Sequence, residues 1–396
     1  MVNRIAVTGI GCLCAAGNTL DEAIASMLAG ERHGSAPRRF TTTHADTFPV
    51  FSIAGEFDDV SDRDMLRTSR LGLAAAHQAL AQSGWSLETL KSLRVGVCMG
   101  TTVGSAMNNE AFYSDYRQGA NPSMTPIDRF LASNPAAVIS RHYGFNGPTQ
   151  TIVNACSSGT DAIGLGAAWI NAGLCDVVLA GGADELCRTT YNGFASLQIS
   201  SSVLCRPFDR SRCGLNLGEG AGVLVLESEA SHRRRKIEAQ GFVLGYGSGT
   251  DGWHLTAPHP EGRGLKQALA EALAVSRVRV EQLAFVNTHG TGTRDNDRVE
   301  SLVLGECLSG LPFPSTKGYT GHTLGAAGAI EAAFVLGFLQ RGQMPASAGF
   351  ENMDEDLGAV PVTSVTPFDA TMALSESLAF GGNNAVLIFE RGEVVS

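Results

Sequence analysis

The chain has 396 residues, 44% of them hydrophobic and 17% charged, which is enough apolar material for a large core and too little charge for a disordered scaffold. Acidic residues (39) outnumber Lys and Arg (29), and the net charge of −10 excludes general affinity for nucleic acid or anionic lipid while leaving room for a local basic patch. Nine cysteines, an odd number without a C-x-x-C pair, argue against a disulfide framework and against a zinc site, and fit a reducing cytoplasm.

The first element, Ile5 to Gly17, is apolar but broken by Thr8, Gly9 and Gly11, and only one basic residue, Arg4, closely precedes it. It reads as a buried strand entering a glycine loop rather than a leader peptide. No run reaches the ~18 uninterrupted apolar residues of a membrane span, so a soluble protein is expected. A helix is predicted over Leu71 to Gln82, a strand over Val95 to Met99, and a second strand over Thr151 to Ala155 running into another helix. Strands Val177 to Ala180 and Ala221 to Leu226 close a first half that ends near Gln240. The Arg-rich run His232 to Lys236 reads as a solvated helix end.

The second half repeats the first. Phe242 to Gly245 opens it, Ala284 to Thr288 mirrors Val95 to Met99, Ser315 to Gly337 mirrors the turn and helix after Asn154, and Ala385 to Glu390 mirrors Ala221 to Glu227. Strands as apolar as Val177 to Ala180 are buried on both faces, which calls for helices on either side of each sheet. The expectation is an α/β chain of two related halves, residues 1–240 and 241–396, in a layered αβαβα sandwich.

Three residues carry candidate chemistry. Cys156, in Val153-Asn-Ala-Cys-Ser-Ser-Gly-Thr-Asp-Ala-Ile, falls where an apolar strand meets a helix of small residues. The free N–H groups of a helix N-terminus favour a thiolate and lower a cysteine pKa, which suits a nucleophile. A simply buried cysteine, as expected for Cys98 and Cys175, is the alternative. His289, in Val286-Asn-Thr-His-Gly-Thr-Gly-Thr, and His322, in Thr320-Gly-His-Thr-Leu-Gly-Ala-Ala-Gly, follow strand ends in glycine-rich turns that let a ligand approach; either alone is as consistent with a structural histidine. Gly247-Ser-Gly-Thr-Asp-Gly matches G-x-G-x-x-G, but no helix pattern comes after it, so it is no dinucleotide site. No phosphate loop, H-E-x-x-H or G-x-S-x-G is present.

Taken together, the Cys156 segment, Thr288-His-Gly-Thr-Gly-Thr, Ser315-Thr-Lys and Thr320-Gly-His-Thr-Leu-Gly-Ala-Ala-Gly-Ala-Ile-Glu resemble, in order, the elongating β-ketoacyl-acyl-carrier-protein synthases of the thiolase-like superfamily. The resemblance runs from Ile5-Ala-Val-Thr-Gly-Ile-Gly to Phe380-Gly-Gly-Asn-Asn-Ala, essentially the whole chain. It implies the thiolase-like fold and a two-stage acyl transfer. Cys156 would take an acyl group from the phosphopantetheine thioester of an acyl carrier protein, with the peptide N–H groups of Cys156 and Phe380 holding the oxyanion. His289 and His322 would then stabilise the enolate of a decarboxylating malonyl unit. No separate cofactor is implied.

By the same resemblance Lys317 orients the histidines, paired with Asp297 or Glu300; Thr291 and Thr293 bind the pantetheine arm; Phe380 is a movable gate; and Glu331 fits the motif, with a helix-capping or purely structural role as the alternative. Arg63, Arg67 and Arg70, at the start of the Leu71 helix, with Arg206, are expected to dock the acidic carrier. A homodimer or a heterodimer with a related synthase-like subunit is expected. The chain departs from the family at Arg294-Asp-Asn-Asp and at Asn383-Asn384, and it has polar residues at Asn108-Asn109 and Ile127-Asp128-Arg129, where relatives line the acyl pocket with apolar ones. That favours a polar, aromatic or unsaturated chain, as in aryl polyene or polyketide assembly, over a saturated fatty chain. A silent partner subunit that sets chain length would lack Cys156, and a thiolase would carry a second cysteine near its end, whereas the last one here is Cys307.

Overall fold

The computed structural model describes residues 4–42, 44–55 and 65–392, so Arg63 lies outside the described residues. The strands are β1 (Ile5–Cys14), β2 (Val95–Gly100), β3 (Thr149–Ile152), β4 (Val177–Asp184), β5 (Gly220–Ser228), β6 (Gly241–Thr250), β7 (Leu283–Asn287), β8 (Gln343–Met344), β9 (Thr366–Pro367), β10 (Met372–Ala379) and β11 (Asn383–Arg391). Among the described residues β8 and β9 pair only with each other; the other nine are joined in the order β3-β2-β4-β5-β1-β6-β11-β10-β7.

That order reads outward from the β1/β6 junction as the same sequence twice. β1-β5-β4-β2 on one side corresponds to β6-β11-β10-β7 on the other, and the senses agree: β4/β5 and β10/β11 are antiparallel, β2/β4 and β7/β10 parallel. The counterpart of β3 is the stretch 312–314, whose carbonyls accept from Val286 and Thr288 as those of Pro148 and Ile152 accept from Val97 and Thr101. Prolines 312 and 314 have no N–H to return, so no regular strand forms there.

The helices Ser158–Asn171 and Ala327–Arg341 pack on each other and touch strands from both sides of the junction, while Arg67–Gln82 covers β1, β5 and β4, and Arg263–Ser276 covers β6 and β11. The result is the expected helix, sheet, helix, sheet, helix sandwich. The stretch Leu324–Arg341 is long and apolar enough to cross a bilayer, but 89% of it is buried between the sheets, which accounts for its composition.

Glycines in the opening strand of each half set how closely its covering helix sits. A Cβ on Gly9 or Gly11 would lie 1.9 or 1.8 Å from the carbonyl oxygens of Ala79 and Ala75, and one on Gly247 or Gly249 would lie 2.0 or 2.2 Å from those of Ala268 and Gly264. The dinucleotide-like glycine run is therefore a packing device, and β6 extends through it to Thr250 instead of stopping at Gly245. The first covering helix begins at Arg67, four residues before the apolar pattern does, because its first turn is polar yet packed inward, with Thr68 and Ser69 buried.

Candidate active site

After β3 the chain turns through Ala155 at φ +48°, a left-handed conformation that an alanine adopts only under constraint, and enters a 3₁₀ turn that feeds the helix Ser158–Asn171. The constraint comes from Asp161, which accepts from Asn154 Nδ2 and Ser157 Oγ (2.9 Å each) and from the Tyr246 hydroxyl of β6 (2.8 Å). Burial raises the Asp161 pKa, and these three donors oppose the shift. Cys156 is thus held at the start of the helix by side chains from both halves. The second half repeats the device: Leu324, at φ +55°, starts the 3₁₀ turn before Ala327–Arg341, and Gly325 N–H donates to Asp184 Oδ2 (2.7 Å).

His322 Nε2 lies 3.1 Å from Cys156 Sγ. The backbone N–H of Leu324 donates to His322 Nδ1 at 3.0 Å, so Nδ1 is the lone-pair nitrogen and the ring proton sits on Nε2, facing the sulfur. His289 stands edge-on to His322, with ring centroids 5.2 Å apart at 85°. Its Nδ1 faces Lys317 Nζ at 3.1 Å, and since an ammonium can only donate, the His289 proton also sits on Nε2. Burial first, then the nearby Lys317 charge, holds both imidazoles well below the usual histidine range. The site therefore presents two neutral rings as hydrogen-bond donors.

The thiol does not follow the sequence expectation. Burial pushes Cys156 up to about 11, outweighing the N–H groups of Phe380 and Cys156 and the Lys317 charge that pull it down. A helix N-terminus does favour a thiolate, but desolvation at a closed site is the larger effect here. Sγ and the histidine nitrogens lie within 4.8 Å of one another, close enough to ligate a soft metal ion. Such an ion would displace the ring protons and block the sulfur, so the set fits a nucleophile with donors better than a resident metal.

Lys317 is fully buried and pairs with Glu331 Oε1 at 2.5 Å. This corrects the expected pairing with Asp297 or Glu300. Asp297 instead accepts from the backbone N–H groups of Phe208 (2.8 Å) and Gly292 (3.2 Å), and Glu300 accepts from those of His289 (2.5 Å) and Gly290 (2.8 Å). Both carboxylates brace the loops that carry the site. Burial pushes Asp297 up to about 6 and Glu331 up to about 7, the latter opposed by Lys317.

Two cavities meet at Cys156. One of about 400 Å³ is lined by Cys156, His289, His322, Thr291 and Thr293, together with Arg294 from the segment that departs from the family pattern. The other, of about 230 Å³, is lined by Cys156, Ala155, Thr102, Val103, Val153 and Thr190. Phe194 and Phe380 border both, their rings stacked 5.6 Å apart at 15°. Asn108, Asn109, Ile127, Asp128 and Arg129 line neither of these two cavities.

Two of the arginines expected to dock a carrier make ion pairs within the chain. Arg67 makes a two-point pair with the fully buried Glu219, Nε to Oε2 2.9 Å and Nη2 to Oε1 2.7 Å. Arg70 is half-buried on the same helix, and Arg206 pairs with Glu351 at 3.0 Å near the surface.

The sequence matches the family description "Beta-ketoacyl synthase, N-terminal domain" over residues 2–232 and "Beta-ketoacyl synthase, C-terminal domain" over residues 240–351. The chain belongs to the β-ketoacyl synthase family. It is 30% identical over 411 residues to 3-oxoacyl-[acyl-carrier-protein] synthase 2 of Synechocystis sp., covering 98% of each chain. Among solved structures it superposes on the ishigamide ketosynthase/chain length factor with a TM-score of 0.92 at 30% identity, covering 99% of this chain and 100% of that one. It superposes on a chain of the complex between the ketosynthase ApeO and its chain length factor ApeC from Xenorhabdus doucetiae with a TM-score of 0.86 at 31% identity, covering 98% of each chain. As a β-ketoacyl synthase the chain is an acyltransferase of the Cys-His-His type, and Cys156, His289 and His322 form the cluster that matches that family's catalytic triad.

Sequence reasoning missed Asp161 with Tyr246, Asp184, and Phe194. Asp161 lies five residues after the nucleophile in the same helix-starting segment and was readable as a first-turn acid; the other three are brought to the site only by tertiary packing.

Proposed function

We propose that this β-ketoacyl synthase condenses a Cys156-bound acyl group with the enolate of a decarboxylating malonyl unit carried on an acyl carrier protein, yielding a 3-oxoacyl carrier protein. The observation that carries the reading is the pair of neutral imidazoles whose Nε2–H groups face the space beside Cys156. In the first stage the Cys156 thiol adds to the acyl thioester, the N–H groups of Cys156 and Phe380 receive the oxyanion, and the carrier leaves as a free thiol bearing the proton that Cys156 gives up. In the second, the malonyl carboxylate leaves as carbon dioxide and its bonding electrons become the enolate, whose oxygen is stabilised by His289 and His322. The enolate carbon attacks the acyl-cysteine, the carbon–sulfur bond breaks, and one proton from solvent restores the Cys156 thiol.

The pantetheine arm is assigned to the larger cavity, where the Thr291 and Thr293 hydroxyls lie 2.9 Å apart, and the acyl chain to the smaller one. The similarity to two ketosynthase/chain length factor structures supports chain elongation of a polyene or polyketide kind, with a related synthase-like subunit as partner. A silent chain-length subunit is the second reading, and an intact Cys156 beside two donors speaks against it. Incubating the protein, alone and with candidate partner subunits, with a panel of acyl carrier proteins and reading the mass added to Cys156 tests the proposal. Acylation of wild type but not of Cys156→Ala supports it; no acylation from any carrier, or acylation of the variant, overturns it.

A further inference from the structure

Along β10 the side chains alternate, and one of them breaks the pattern. Leu374 and Leu378 enter the outer apolar cluster with Val286, Val303 and Leu304, while Ser377 on the opposite face meets Thr160 with hydroxyls 2.8 Å apart. Period-two geometry puts Glu376 among the leucines, and it is 1% exposed. Among the described residues neither of its oxygens receives a hydrogen bond. The titratable groups that bear on it are Glu300 and Cys307 from the helix Arg294–Cys307 and Glu331 from Ala327–Arg341; Glu331 is already engaged by Lys317, and Glu300 is within hydrogen-bond reach.

Two buried carboxylates in contact cannot both be ionised, so one proton must sit between them. The surroundings decide where. Glu300 accepts from His289 N–H, Gly290 N–H and Asn296 Nδ2, three donors that favour its anion, whereas Glu376 receives none and has a proton to offer. We propose that Glu376 is a positioning residue for His289: as a neutral carboxylic acid it donates a hydrogen bond to Glu300 and fixes the carboxylate that anchors the His289–Gly290 turn. Burial and then the Glu300 charge raise the Glu376 pKa well above the ordinary glutamic acid range, in keeping with this geometry.

The inference rests on His289 acting in malonyl decarboxylation, and its test includes a measurement independent of that role. Glu376→Gln keeps a neutral donor at every pH; Glu376→Leu removes it while matching the neighbouring leucines. With Cys156 alkylated, carbon dioxide release from a malonyl pantetheine thioester is expected to stay within about threefold of wild type in E376Q at pH 7 and to fall by about tenfold or more in E376L. Acylation of unblocked Cys156 is expected to change by less than about threefold in both. Wild-type decarboxylation should decline at alkaline pH as Glu376 loses its proton, and E376Q should lack that decline.

The second measurement is thermal melting, which needs no substrate. A carboxyl whose pKa is raised on folding stabilises the fold fully below its unfolded pKa, and that contribution drains away as pH rises toward the folded pKa. The melting temperature of E376Q relative to wild type should therefore climb steadily as pH rises above the ordinary glutamic acid range. The proposal is overturned if E376Q loses as much decarboxylation as E376L, if its alkaline decline persists, if the melting difference is flat with pH, or if elemental analysis finds one metal ion per chain that E376Q lacks. Absence of decarboxylation in the wild type would count against the condensing reaction, while the melting series would still decide the state of Glu376.

Discussion

Lys317 and Glu331 form a closed ion pair beneath His289, Nζ to Oε1 2.5 Å, with neither side chain more than 3% exposed. Lys317 has a second role, because the same ammonium fixes the His289 tautomer through Nδ1. Removing it in Lys317→Met leaves a carboxyl without its counter-charge, at an expected cost of about 3–5 kcal/mol in urea denaturation. Decarboxylation should fall by about 10²-fold. The double variant Lys317→Met/Glu331→Leu should regain most of the stability and none of the activity. Recovery of activity in the double variant would mean that the lysine matters only as a partner for Glu331.

The Cys156 thiol, pushed up to about 11, should be protonated at rest across the physiological range. Alkylation of Cys156 by iodoacetamide, read by intact mass, is expected to accelerate by about tenfold per pH unit from pH 7 to pH 9 without a plateau. A plateau near neutrality would show that the helix N-terminus prevails over burial. Because both histidines are held neutral well below their usual range, decarboxylation should show no limb near pH 6.5 from either of them.

Phe194 stacks on Phe380 and meets His322 edge-on, with centroids 6.5 Å apart, so it forms part of the partition between the two cavities. Phe194→Ala should join the cavities and lengthen the acyl groups accepted, read as Cys156 adducts across a chain-length series. Loss of the aromatic contacts should also lower stability, by less than the ~3–5 kcal/mol of a fully buried phenylalanine because Phe194 is only partly buried. An unchanged chain-length profile would place the limit elsewhere in the smaller cavity's wall.

Arg67→Glu would set a second carboxylate against Glu219, which also accepts the backbone N–H groups of Ile53 and Leu186. It should destabilise the fold and slow reaction with carrier-bound and small pantetheine thioesters alike. Arg206→Glu, on a surface pair, should raise KM for the carrier-bound substrate only. A carrier-specific defect in Arg67→Glu, with normal melting, would return that residue to the docking surface.

Much of the architecture was written in local pattern. The paired apolar runs, the small-residue helices and the motifs around Cys156, His289 and His322 announced two related halves and a Cys-His-His site, because strand alternation, glycine turns and helix starts are short-range properties that a few consecutive residues impose. The glycine run Gly247-Ser-Gly could be rejected as a nucleotide site because Trp253-His-Leu-Thr-Ala-Pro-His-Pro, directly after it, cannot open a helix. Its actual purpose, admitting the carbonyls of Ala268 and Gly264, became visible only with the helix in place.

What tertiary structure alone decided was the sign and the partner of each buried charge. The sequence placed Cys156 at a helix N-terminus and so predicted a lowered pKa; it carried no measure of what closes over the sulfur, and desolvation reversed the sign. It offered Lys317 two acids on the helix Arg294–Cys307, but Glu331, from a different helix, reaches Nζ, while Asp297 and Glu300 are consumed by backbone N–H groups of their own loops. Arg67 was expected at a docking surface until folding laid Glu219 beside it, and Glu376 is desolvated because its face of β10 turns inward. Coulomb and desolvation energies depend on distance and dielectric, and both are set by which segments meet in three dimensions.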